Sequence, residues 1–135
     1  MLFATTCVAH NILDYGAIVD KTTHHAEVTN SMAILDAIMA AHSSDNDDRV
    51  IEIPAGHTFS SFPIKADNVK NITIQIDGTL ILSKNFKAFS AEGFLEFHDT
   101  EDLTFKGTGT IDGQGFAWWI REYLQKNIHG RPHLL

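Results

Sequence analysis

Apolar and polar residues alternate with period two along much of this chain, and two stretches break the rhythm. In "RVIEIPAGHTF" (49–59), Val50, Ile51 and Ile53 flank Glu52 ahead of Pro54 and Gly56. In "NVKNITIQIDGTLIL" (68–82), Ile72, Ile74 and Ile76 alternate with Thr73 and Gln75, a turn falls at Asp77-Gly78, and Leu80 and Leu82 resume. "GFLEFHDTEDLTFKGTGTIDG" (93–113) repeats the style. Such alternation, broken by glycine turns, predicts short strands. The first exception is "NSMAILDAIMAAH" (30–42), where Ile34, Leu35, Ile38 and Met39 share a helical face. Asn30 or Ser31 is its natural N-cap, and the acidic turn "SSDNDD" (43–48) ends it. The second is "FAWWIREYLQKN" (116–127), whose Phe116, Trp119, Ile120 and Tyr123 also fall on one helical face. Before the first helix, "NILDYGAIVD" (11–20) predicts a short strand and a turn at Gly16, and "KTTHHAEVTN" (21–30) a polar loop.

The strands repeat. Written above "DLTFKGTGTID" (102–112), "NITIQIDGTLI" (71–81) sets Ile72 over Leu103, Thr73 over Thr104, Ile74 over Phe105, Gly78 over Gly109, Thr79 over Thr110 and Leu80 over Ile111, at a constant offset of 31. "VIEIPAGHTF" fits the same template, with Ile51 and Ile53 placed 21 residues before Ile72 and Ile74. Units that recur at this spacing, each unable to bury its apolar face alone, predict a solenoid. A parallel β-helix satisfies the pattern: inward Ile, Leu and Phe fill the bore, outward Thr, Gln, Lys and Glu meet water, and glycines stand at corners. The amphipathic helix would cap the apolar end of the first coil. An antiparallel β-sandwich is the competing fold, but it does not predict a fixed offset.

The 135 residues allow one domain with a real core. A formal net charge of -7 argues against nucleic acid as a partner, because phosphate neutralisation needs clustered Lys and Arg. No run approaches the ~18 apolar residues that span a bilayer, so no membrane partner is expected. Cys7 is the single cysteine, which leaves no disulfide framework and no thiolate metal site within the chain. Residues 1–10 are set apart as the candidate remnant of a signal peptide, with an ordinary first strand as the alternative. Residues 11–135 form the β-helix part. The triplet "NIT" at Asn71 is a glycosylation acceptor pattern, which fits secretion and adds little by itself.

"NILDYGA", "VIEIPAGHTF", "IQIDGTLIL", "GTGTIDGQGFAWW" and "GRPHLL" occur in this order. Together they resemble the N-terminal part of the polygalacturonase family, glycoside hydrolase family 28, over roughly residues 11–135. The resemblance implies a right-handed, pectin-lyase-like parallel β-helix, a secreted location, and inverting hydrolysis of α-1,4-linked galacturonate in pectin, with pectic polysaccharide as partner and no cofactor. In that chemistry one carboxylic acid protonates the leaving oxygen while opposing carboxylates activate water. Cationic Arg and Lys hold the substrate carboxylate.

The chain departs from the family at "IVDKTTHHAEVTN", where relatives carry Gly-Asp-Gly and Asp-Asp-Thr. It also lacks the Asn-Thr-Asp, Asp-Asp, Gly-His-Gly and Arg-Ile-Lys motifs, which relatives carry downstream of "RPHLL". Asp47-Asp48 lies in a polar turn, and His57 stands in "GHT". No residue is therefore assigned a catalytic, cofactor-binding or metal-ligating role, and this chain alone is expected to be inactive, truncated before the catalytic coils.

The remaining candidates have plainer readings. The Asp and Glu residues read as solvated turn and strand positions. His24-His25 has no third ligand spaced nearby and reads as polar loop. Trp119 reads as packing on the stack, with Trp118 to its side as a candidate sugar platform. Arg131 and His133 read as strand-edge residues, and Asp112 as a turn residue capping its own backbone. Two other functions remain open: a non-catalytic carbohydrate-binding or scaffold stub that self-associates through its open end, and a pectate-lyase-like or tailspike-type protein, against which "RPHLL" argues.

Overall fold

The computed structural model describes residues 9–43, 49–84 and 94–113. Nine short strands and one long helix make up these segments: β1 (His10–Asn11), α1 (His24–His42), β2 (Val50–Ile53), β3 (Thr58–Ser61), β4 (Ile64–Asp67), β5 (Lys70–Ile76), β6 (Thr79–Leu82), β7 (Leu95–His98), β8 (Glu101–Lys106) and β9 (Thr110–Asp112). They form three sheets, ordered β1-β2-β5-β8, β3-β6-β9 and β4-β7. From β2 onward the chain visits the three in rotation. Every ladder is parallel, so the antiparallel sandwich is set aside for the described strands.

The ladder register carries the repeat. Ile72 pairs with Leu103, Thr73 with Thr104 and Ile74 with Phe105. Thr79 pairs with Thr110 and Leu80 with Ile111. These are the partners the 31-residue offset predicts. The earlier offset needs correction. Ile51 pairs with Ile74 and Ile53 with Ile76, a step of 23 rather than 21. The step falls to 21 only at Thr58↔Thr79, because the corner at 54–57 holds two more residues than Asp77-Gly78. It rises to 31 at Ile64↔Leu95, because two residues, Phe62-Pro63, separate β3 from β4 and twelve, 83–94, separate β6 from β7. Each change of step falls at a corner, and the strands stay in register.

The corners continue the ladder. The amides of Asp77 and Gly78 donate to the Ile53 carbonyl, and the Gly109 amide donates to that of Ile76 at 2.8 Å. Corners stacked this closely exclude side chains. A Cβ on Gly109 would overlap the Gly78 carbonyl oxygen, and Gly107 takes φ +126° over Ile76, a backbone that glycine alone adopts without strain.

Inside, Ile51, Ile53, Phe59, Ile64, Ile72, Ile74, Ile76, Leu80, Leu82 and Leu95 form one buried cluster, which Ile34, Ala37, Ile38 and Ala41 of α1 join. The helix packs chiefly on β3 and also touches β2, β4 and β5. Its apolar face packs on buried residues of these strands, but its details differ from the helix expected over 30–42. It starts at His24 with Thr23 as N-cap, the Thr23 side chain accepting from the Ala26 amide. Asn30 lies in its interior, and "KTTHHAEVTN" is largely helical rather than a loop. Met39 is exposed and alanines take its place on the buried face. The strand expected over 11–20 shrinks to β1, followed by a 3-10 turn over Ile12–Tyr15 that ends at the left-handed Gly16. No helix among the described residues is long and apolar enough to cross a membrane.

Candidate functional site

On the outer face of the first sheet, parallel register stacks Glu52, Gln75 and Lys106 in one row and Val50, Thr73 and Thr104 in another. These rows offer hydrogen-bonding groups to solvent without a paired acid and base. Three carboxylates elsewhere have defined partners, and each is engaged by this chain's own donors.

Asp77 closes the corner after β5. One oxygen takes the Gln75 amide at 2.8 Å, and the other takes the Thr108 backbone N–H at 3.2 Å, from 31 residues further along the chain. These donors, the Gln75 side chain first, hold its carboxyl below the usual range. Asp20, left-handed at φ 56°, clamps the approach to α1 onto β3. Its amide donates to the Thr58 carbonyl at 2.7 Å, and its carboxylate accepts the Thr58 N–H at 2.9 Å. His57 faces it at 3.5 Å. The Thr58 N–H, with His57 behind it, lowers the Asp20 pKa against a smaller opposing desolvation.

The third is Glu27, which corrects the reading of every acid as solvated. It is buried under the first turns of α1 and accepts the Ser60 hydroxyl at 3.1 Å and the Ser83 hydroxyl at 2.6 Å. Beside it, fully buried Asn30 accepts the Ile18 N–H at 2.6 Å and donates to the carbonyls of Ile18 (3.1 Å) and Ser60 (2.8 Å). Buried polar groups need such partners. Here they fasten the cap helix to the second sheet. Periodicity misses both residues because polar positions on a helix read as solvent-facing. The available clue was Thr23 with an acid in the first turn, an N-terminus pattern.

The other sequence candidates separate. His24 and His25 are exposed in the first turn of α1, and His24 stacks edge-on against Phe62 at 5.4 Å. Asp112 ends β9 opposite Ile81 and is a strand residue rather than a turn. Asp47-Asp48, Trp118, Trp119, Arg131 and His133 lie outside the described residues. Among the described residues no group of three or more His, Cys, Asp or Glu is placed to hold a metal ion. The partners of the three engaged carboxylates are amides, hydroxyls and an imidazole. An inverting pair of carboxyls would instead face each other across about 6.5–9.5 Å.

Comparison with known proteins gives this arrangement a context. Residues 43–134, more than half of the chain, match the family described as glycosyl hydrolases family 28. The chain is 31% identical over 122 residues to an exopolygalacturonase of Platanus acerifolia, covering 87% of this chain and 29% of that protein. It is 32% identical over 119 residues to a probable polygalacturonase of Arabidopsis thaliana, covering 85% and 25%. It is 29% identical over 137 residues to a probable exopolygalacturonase C of Aspergillus terreus, covering 88% and 31%. The chain thus spans between a quarter and a third of the length of these relatives.

Proposed function

We infer that this chain, which belongs to glycosyl hydrolases family 28, is the N-terminal segment of a polygalacturonase-type enzyme that cleaves α-1,4-linked galacturonan in pectin by inverting hydrolysis. The observation that carries the reading is the family match over 43–134. It spans the same strands whose 31-residue register builds the described sheets. The three-sheet rotation is read as the first coils of a right-handed parallel β-helix. Parallel crossover connections are right-handed in about 98% of cases, which supports that hand. The polygalacturonase names of the relatives support secretion and a pectic substrate.

The part this segment plays is structural. Its engaged carboxylates hold corners and the cap helix, and the acid, base and substrate-binding cations belong to motifs this chain does not carry. The purified 135-residue chain is therefore expected to release no reducing ends from polygalacturonate above a blank. Release by this chain alone would overturn the structural role. Calcium-dependent unsaturated products would replace hydrolysis by lyase chemistry. A soluble, folded, inactive chain that retains pectin on a column would favour the carbohydrate-binding stub. Phe105, exposed beside half-buried Phe97 and Leu103, is an apolar surface that favours self-association of the isolated chain.

A further inference from the structure

We propose that Asn71 is an N-linked glycosylation site of this protein, a modification that rests on the secretory reading above. Among seven asparagines only Asn71 begins an Asn-X-Ser/Thr triplet, with Thr73 at the third position. The triplet is the acceptor pattern of the secretory pathway. The structure places it where a glycan fits. Asn71 is exposed as the second residue of β5, just past the corner that follows β4. Asn68 and Lys70 nearby are exposed, with Val69 between them buried in the core, and Asp102, 31 residues on, is exposed too. A saccharide there displaces no buried side chain.

Two comparisons within the chain separate this asparagine from a chance triplet. Asn30 and Asn11 have their side chains engaged, Asn30 in three buried hydrogen bonds and Asn11 in capping the Leu13 amide. The Asn71 amide makes no hydrogen bond among the described residues, so its nitrogen is available. The backbone does not explain the residue either. Asn71 is left-handed at φ 54°, and Asp102 takes the same φ of 54° at the equivalent position of the next coil. Asn68 and Asp99 repeat the relation at 58° and 53°. Either residue type tolerates this conformation. The corner is satisfied by aspartate, but only asparagine accepts a glycan.

The chemistry is a group transfer from a lipid-pyrophosphate-linked oligosaccharide. The side-chain nitrogen of Asn71 attacks the anomeric carbon. A carbon–nitrogen bond forms, the bond from that carbon to the pyrophosphate oxygen breaks, the lipid pyrophosphate leaves with the electron pair, and the amide gives up one proton. Thr73 supplies the hydroxyl that the acceptor pattern requires.

The test is cell-free translation of the full chain with endoplasmic-reticulum microsomes, an appended leader ensuring entry. Glycan transfer occurs on the translocating chain, so a variant that fails to fold still reports. The parent is expected to show a slower, protease-protected band that peptide N-glycosidase collapses, leaving aspartate at position 71 in the peptide. Asn71→Gln and Thr73→Val should abolish the band, and Thr73→Ser should retain it. A protected parent chain with no glycosidase-sensitive band, or a band that survives Asn71→Gln, overturns the inference. The appended leader makes this result independent of where the natural protein resides. Fractionation of the natural protein tests the secretory reading alone.

Discussion

Replacing Asn30 by alanine tests whether the cap helix is held by polar contacts as well as by its apolar face. The side chain is fully buried and serves three backbone groups: the Ile18 N–H, the Ile18 carbonyl and the Ser60 carbonyl. Ser60 is buried, so stranding its carbonyl costs about 1–3 kcal/mol. Ile18 is half-buried and water can replace part of what is lost, so its two bonds lose about 0.5–1.5 kcal/mol each. Alanine returns up to about 0.7 kcal/mol of helix propensity. The balance is ~1–5 kcal/mol of destabilisation, a large share of the ~5–15 kcal/mol typical of a domain. Urea unfolding followed by far-UV circular dichroism reads the global effect, and hydrogen exchange at the Ile18 amide reads the local one. A variant within about 0.5 kcal/mol of the parent with unchanged exchange at Ile18 would refute the reasoning, which assigns surface substitutions that range. Asn30→Asp sharpens it. The carboxylate still accepts from Ile18 but faces two carbonyls, so burial and repulsion raise its folded-state pKa above the ordinary ~3.9. A raised acid pKa weakens the fold where the group is charged. The deficit should be full at neutral pH and shrink as pH falls through that raised value.

Two further outcomes follow from the corners. Gly109→Ala forces a Cβ onto the Gly78 and Ile76 backbone, where no side chain can swing aside, and should lower stability by ~1–3 kcal/mol in denaturant titrations. The Asp20 carboxyl, held low chiefly by the Thr58 N–H, should titrate below the ordinary carboxylate range by NMR. A depressed acid pKa stabilises above the unfolded value and is lost as pH falls through the folded one. Protection of the Thr58 amide, taken relative to its intrinsic exchange rate at each pH, should therefore fall on acidification in the parent and stay level in Asp20→Asn.

The ladders at 31 residues were legible in the sequence because glycine and threonine recur there together with the apolar positions, so three residue types fix one alignment. The β2–β5 step was not, because Gly56 and Gly78 look equivalent while their corners hold different lengths of chain. That error of two residues preserves parity, which is why Ile51 and Ile53 were still placed inward. The β4–β7 pair escaped notice because Ala66 and Asp67 lack the Thr and Gly marks of the other strands. The start of α1 escaped because Glu27 and Asn30 are polar, and only the fold brings Ser60, Ser83 and Ile18 to them. No catalytic site was legible, and Asp20, Asp77 and Glu27 are engaged by backbone amides and side-chain donors of this chain.

The unequal corners have a consequence for how such a chain can change. Residues of β2, β5 and β6 are paired on both sides, so an insertion within one of these strands would have to be matched in both partner strands. At 54–57 and 83–94 the extra residues leave the following strands paired as before. Each connection between paired strands can therefore change length on its own. Chain can be added there one connection at a time, and new surface chemistry tried, while the three sheets keep their pairing.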